Sequence, residues 1–430
     1  MFKLANYFYQ LIFRQPMGEN ARRFLQNSFW SMGGGLLAFA FLFLANILAG
    51  RWLGPEEYGK YNLILALANI LAILLVLDSD VGITYFVSRA KEIKTRKKEI
   101  TNSLGLAFLI YVTVIFFGLA IYKLIDYFYS FSHPPLFWVW FLATIIAGKR
   151  ISEAIIRGLK KFRYQALVKI GEGIIVLSLL IIIIFIWRKV VYQSYLIALV
   201  TGGLVLLTIY FLKIKKYIQS NLLQWSHLKK IFHYSRWGII NSLTTIGFKG
   251  FDKLIVAGLL GAYQLGIYSA YYTISILLSA RLIQLLVNVY FPSINEIKNK
   301  KELINKVNRF ILKLSLPILF AYILGARLLL FLFGKEYPLH WTWLFILGFY
   351  FLFHLSANLY GWILASHSKE GYRYQNWGGL LSLFVFAFVI FIIWRLNLFS
   401  ISSLFLTLTL SKFALLVFYR VEISSLVKKS

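Results

Sequence analysis

Hydrophobic residues in this chain gather into long blocks separated by short polar stretches. Twelve blocks approach the roughly 20 apolar residues that a helix needs to cross a bilayer. They cover residues 28–50, 61–77, 104–122, 136–156, 166–187 and 192–212, then 237–260, 267–291, 310–333, 341–365, 377–394 and 401–419. The pattern predicts an all-α polytopic membrane protein of about 12 transmembrane helices. The fourth block is the most polar, because Lys149, Arg150 and Glu153 sit in its last turns.

Composition narrows the classes. Of 430 residues, 60% are hydrophobic and 14% charged, where a soluble domain has about 45–50% and about 25%. That excludes a soluble enzyme and a disordered chain. A net charge of +30 would suggest nucleic acid in a soluble protein. Here the basic residues cluster between apolar blocks, so topology accounts for them and no nucleic-acid partner is expected. Clusters at 89–98, 149–163, 213–236 and 298–313 alternate with connections holding isolated cations such as Arg51, Lys123, Lys335 and Arg395. The positive-inside rule then puts both termini in the cytoplasm, as an even number of spans requires. The expected location is the cell (inner) membrane.

Cysteine is absent, which excludes disulfides, thiol catalysis and Cys-ligated metals. The six histidines show no metal-ligand spacing, so no metal site is expected. Only His354 falls inside a block, where a packing role is favoured over proton carriage. The N-terminus has neither the short apolar core nor the cleavage site of a signal peptide. The domain plan is an interfacial segment at 1–27, a six-helix half at 28–216, a linker at 217–236, a second six-helix half at 237–421 and a tail at 422–430. The linker mixes Leu222, Leu223, Trp225, Leu228, Ile231 and Phe232 with Lys229 and Lys230 and reads as an amphipathic helix on the inner leaflet; residues 2–13 read the same way.

An internal repeat links the halves. Leu53-Gly54-Pro55-Glu56-Glu57-Tyr58-Gly59-Lys60-Tyr61 and Leu260-Gly261-Ala262-Tyr263-Gln264-Leu265-Gly266-Ile267-Tyr268 both fit L-G-x4-G-x-Y, 207 residues apart. Each falls in an outside connection between an odd and an even span. Glycines there permit a tight turn between antiparallel helices, and the tyrosine is expected to anchor at the membrane interface. Six spans separate the copies, so the halves share one orientation, an arrangement that suits alternating access around a midplane cavity.

These residues carry a resemblance. The stretch from Ala49 to Tyr61, the Asp252-Lys253…Gly258…Leu260-Gly261-x4-Gly266-x-Tyr268 pattern, Phe291-Pro292 and Phe333-Gly334-Lys335-Glu336-Tyr337 together resemble the polysaccharide biosynthesis protein family. These are lipid-linked oligosaccharide flippases of the multidrug/oligosaccharidyl-lipid/polysaccharide (MOP) exporter superfamily. The second repeat lacks counterparts of Arg51, Glu56 and Glu57, so that connection is read as structural. The resemblance implies two six-helix halves in a V-shaped bundle with a central cavity. It implies an undecaprenyl-diphosphate-linked glycan moved from the inner to the outer leaflet by a chain working as a monomer among membrane lipids. It leaves open a polysaccharide polymerase as partner and a coupling ion, Na+ or H+; no other cofactor is expected.

Charges within spans are costly, about 2.5–3.5 kcal/mol near the bilayer centre, and usually face a cavity or a partner. An anionic diphosphate needs cations, which bind phosphate through charge-assisted hydrogen bonds. Lys249, Lys253 and Arg281 fit by depth and are the expected diphosphate ligands. The competing reading pairs Asp252 with Lys249 or Lys253. Lys149 and Arg150 either snorkel at the inner interface or catch the diphosphate as it enters. Lys169 and Glu172 are spaced as an i,i+3 pair. Asp78 and Asp80 close span two as solvated helix-end charges or, less favoured, as a coupling site. Arg51, Glu56 and Glu57 are expected to form a local network.

Two other function classes compete. A cation-coupled multidrug or small-molecule exporter of the same superfamily would favour acidic cavity residues. A polyprenyl-dependent glycosyltransferase or polymerase would need a large outside loop, and the outside connections are short. No G-x4-G-K-[ST] motif is present, so the chain is not itself an ATPase.

Overall fold

The computed structural model describes residues 19–128, 136–186, 188, 190–235, 250–284, 286–287, 300–367 and 369–429. Among these the regular structure is entirely helical. The first half holds α1 (Glu19–Val76), α2 (Ser79–Arg89), α3 (Ile93–Phe128), α4 (Leu136–Gly158), α5 (Phe162–Phe185) and α6 (Tyr192–Ile214), followed by the linker helix α7 (Trp225–Ser235). The second half holds α8 (Phe251–Tyr272), α9 (Lys300–Phe333), α10 (Trp341–His367), α11 (Lys369–Arg395) and α12 (Ile401–Lys429). α8 runs on through a π-helical turn, Thr273–Leu277, to Gln284. The interfacial segment expected at 2–13 lies outside the described residues.

Nine described helices are long and apolar enough to cross a membrane. α1, interrupted at Gly54, supplies two spans, and α8, interrupted at Gly261, supplies the described end of one span and the described length of the next. The twelfth span is α4, whose second half carries Lys149, Arg150 and Glu153. This corrects the reading of the repeat as loops. Each connection is a single non-helical residue, Gly54 (φ 71°, ψ 171°) or Gly261 (φ 85°, ψ 176°), in a region closed to side chains by steric clash. In the first copy Pro55 takes the first helical position, where its missing N–H costs nothing.

The two copies pack on each other. A Cβ at Gly59 would overlap the carbonyl oxygen of Ala262, and a Cβ at Gly266 would overlap that of Pro55. The contact is reciprocal, since Pro55 matches Ala262 and Gly59 matches Gly266 in the repeat. Small residues let the α1 and α8 backbones touch. Tyr61 and Tyr268 are 2% and 0% exposed, so neither anchors at an interface as expected. Tyr61 packs 4.6 Å from the Tyr195 ring of α6, and Tyr268 stacks 5.1 Å from the Phe405 ring of α12. With two spans meeting at one glycine, no room is left for the ring to turn outward.

Polar bonds add to this crossing. Asn46 donates to Thr273 Oγ1 at 3.3 Å, and Lys253 Nζ donates to Asn62 Oδ1 at 2.8 Å. Asn46 and Lys253 are again one repeat apart. Tyr337 donates to the Gly50 carbonyl at 2.8 Å. One apolar core therefore runs across both halves at this end, from Tyr58 and Tyr195 to Tyr268 and Phe405. At the other end the second half has its own cluster around Val307, Leu364 and Tyr419. The bundle is a V, joined where the glycines cross and split at the far end.

Candidate functional site: a charged cavity between the halves

Where the halves part, a cavity of about 490 Å³ is bounded by α1, α4, α5 and the end of the α8 span. α1 gives a mainly apolar wall that includes Trp30, Leu36, Phe39 and Leu42. α4 presents Lys149, Glu153 and Arg157, four residues apart and hence on one helix face. α5 answers with Gln165, Lys169 and Glu172 on its own face. Arg281 and Gln284 complete the lining from the second half.

The ion pairs are crossed between helices. Lys149 bonds Glu172, and Lys169 Nζ lies 2.6 Å from Glu153 Oε2. The i,i+3 pairing of Lys169 with Glu172 expected from spacing is thereby corrected. The facing stripes of α4 and α5 offer each lysine a carboxylate across the gap, in better register than the one along its own helix.

Two cations are left over. Arg157 has a buried Nε without a hydrogen-bond partner. Among the described residues Arg281 bonds the neutral Gln284, Nη1 to Oε1 at 3.2 Å, and its guanidinium lies 5.3 Å from the Phe39 ring centroid. Neither has a carboxylate within 4.0 Å among the described residues. Among the described lining residues, four cations against two carboxylates give a formal surplus of two positive charges. Arg281 comes four residues after the π-helical turn Thr273–Leu277, which shifts the helix register ahead of it.

The remaining expected ligands lie elsewhere. Lys253 is 7% exposed at the α1–α8 crossing, over the Tyr272 ring at 4.9 Å, and does not line the cavity. Asp252 is fully buried and accepts the Tyr268 hydroxyl at 2.6 Å, while the Lys253 ammonium bonds Asn62; the alternative pairing of Asp252 with Lys249 falls outside the described residues. Arg150 turns away from the α4 stripe and meets Asp80 Oδ1 at 3.2 Å and Asp78 Oδ1 at 3.4 Å. It braces the left-handed break at Leu77 (φ 45°) and Asp78 (φ 54°) that separates α1 from α2. Lys249 lies outside the described residues. The Glu56–Glu57 network gathers on Lys60, at 3.0 and 2.7 Å, and Glu57 also accepts the Tyr192 N–H at the start of α6. Arg157 is the residue the sequence reading passed over. Its signal was the four-residue spacing 149–153–157.

Comparisons with known proteins fit this architecture. The chain is similar to a Shigella flexneri protein described as an O-antigen transporter, with 24% identity over 342 residues, 74% of this chain and 78% of that one. It is 28% identical over 179 residues to the capsular polysaccharide biosynthesis protein CapF of Staphylococcus aureus, covering 40% of this chain and 43% of that one. Among solved structures it resembles a multidrug resistance MATE family transporter of the MOP superfamily. The inward-facing conformation matches with TM-score 0.66 at 15% identity, over 91% of this chain and 96% of that one. The outward-facing one matches with TM-score 0.60 at 16% identity, over 96% and 98%. The model of the family described as polysaccharide biosynthesis protein matches residues 24–298. With that match across both glycine breaks and into the second half, the chain belongs to the polysaccharide biosynthesis protein family.

Proposed function

We propose that the chain is a flippase that carries an undecaprenyl-diphosphate-linked oligosaccharide from the inner to the outer leaflet by alternating access. The observation that carries this reading is the surplus of two cations among the described residues that line the cavity. A diphosphate diester is a dianion, and guanidinium groups hold phosphate oxygens in a bidentate fork. Arg157 and Arg281 receive the diphosphate. Lys149 and Lys169 are held in reserve by Glu172 and Glu153. The apolar face of α1 lies beside the lipid. Rocking about the α1–α8 crossing then exposes the same cations to the other side.

The test is translocation of a fluorescent undecaprenyl-diphosphate sugar in proteoliposomes. Arg281→Gln and Arg157→Gln are each expected to cut the rate at least tenfold, in keeping with about 1.5–3 kcal/mol for a charged hydrogen bond. Arg281→Lys is expected to retain part of it. Full activity in both Gln variants would refute the reading. Transport of a cationic dye in place of the lipid would favour the small-molecule exporter.

A further inference from the structure

A second pocket of about 500 Å³ lies between the end of α2, the start of α3 and the linker helix α7. None of its lining residues lines the transport cavity. The linker is clipped to α3 through its backbone. Gln219 N–H donates to Thr101 Oγ1 at 3.0 Å, Gln224 N–H to Asn102 Oδ1 at 2.8 Å, and Asn102 Nδ2 to the Leu222 carbonyl at 2.9 Å. Leu228, Ile231 and Ser235 bury one face of α7, seated where Gly82 of α2 leaves room. Flanking that face, Trp225, Phe232 and Tyr234 are exposed.

The pocket concentrates cations on aromatic faces. Tyr234 of α7 stacks on Tyr85 of α2 with centroids 4.4 Å apart. Arg89 lies 4.2 Å from the centroid of Tyr85, and Lys230 lies 5.4 Å from that of Phe86. Neither cation meets a carboxylate within 4.0 Å among the described residues. Glu99, the acid in the lining, is taken by His227 at 2.8 Å. About two turns before Arg89 on the same helix, Val81 is 55% exposed.

We propose that this pocket binds the headgroup phosphate of an anionic phospholipid, which ties the linker to α2. The surface holds two cations with no carboxylate partner among the described residues at the end of a span, over aromatic rings that suit the polar–apolar boundary, with an exposed aliphatic residue about two turns along α2. A basic, amphipathic surface at a membrane boundary attracts anionic lipid. The site is separate from the transport cavity, so its occupancy acts on the seating of the linker and leaves the cavity cations untouched.

The full chain in phosphatidylcholine nanodiscs with and without phosphatidylglycerol tests this, with lipid retention read by native mass spectrometry. Phosphatidylglycerol is expected to be retained over phosphatidylcholine, and the Arg89→Gln/Lys230→Gln variant to lose it about 30-fold, at about fivefold for each cation. Both side chains are exposed, so the fold is expected to survive. Lys91→Gln/Lys94→Gln removes two exposed cations outside the pocket and is expected to retain the lipid. Equal loss in that pair would reduce the site to diffuse charge and overturn the proposal. Retention of undecaprenyl phosphate in place of phosphatidylglycerol would also overturn it.

Discussion

Lys149 and Lys169 each face a carboxylate from the neighbouring helix, and that exchange decides which cations remain for a ligand. Glu172 is 5% exposed and bonds Lys149. Glu172→Gln releases the lysine. Undecaprenyl diphosphate is then expected to bind about tenfold more tightly, while the melting temperature falls because a half-buried ammonium has lost its partner. Weaker binding in that variant would mean that the carboxylate itself positions the ligand. Lys161, in the turn before α5, gives a pH test away from the spans. Burial lowers its pKa, and Lys213, Lys216 and Arg96 lower it further. A lysine that titrates below its usual 10.5 destabilises the fold while it is charged. That cost is full at neutral pH and fades as pH rises through the lowered value. Lys161→Gln is therefore expected to raise the melting temperature at pH 7 and to gain less at pH 10, measured by thermal unfolding in detergent.

At the scale of elements, the glycine crossing is the most constrained feature of the bundle. Gly59 and Gly266 each face a carbonyl oxygen of the other half where a methyl group would overlap. Gly59→Ala and Gly266→Ala are each expected to cost about 1–3 kcal/mol, the usual range for overpacking. Gly325 of α9 has no neighbour within 4 Å of a Cβ, so Gly325→Ala should be neutral or stabilising by about 1 kcal/mol. Thermal unfolding of the three variants compares them directly. Equal effects at all three sites would mean that helix propensity, not close approach of α1 and α8, governs the crossing. α7 is a different kind of element. Its residues were legible as amphipathic, but Thr101 and Asn102 fasten the stretch leading into it to α3 and its own His227 bonds Glu99, so it is a docked helix.

For the whole molecule, the structure has one end joined and the other parted. Asn46 and Thr273 touch across the joint at 3.3 Å, and the chain contains no native cysteine. Asn46→Cys with Thr273→Cys, bridged by a short bis-methanethiosulfonate reagent, is expected to stop lipid translocation, with recovery on reduction. Each single variant given the same reagent should keep its rate. Undiminished translocation in the bridged protein would show that the halves need not separate there.

Hydropathy and charge bias are sums over tens of residues, so they survive in one dimension. The spans, the two-fold repeat and the family were legible for that reason. Even the reciprocal contact was foreshadowed, because Gly54, Gly59, Gly261 and Gly266 stand in matching places. Which cation meets which carboxylate is another matter. Lys149 and Arg150 are neighbours in sequence, yet a rotation of about 100° per residue sends one to the cavity and the other to Asp78 and Asp80. Lys253 has the depth of a cavity ligand but faces Asn62, because α1 and α8 cross at glycine and bring that face inward. Arg157 gains its place only when α5 packs on α4. The sequence alone determined how many helices cross the membrane and that two halves match. The tertiary structure alone decided which charges those halves share, because a helix face acquires a partner only when close packing of distant segments sets its rotation.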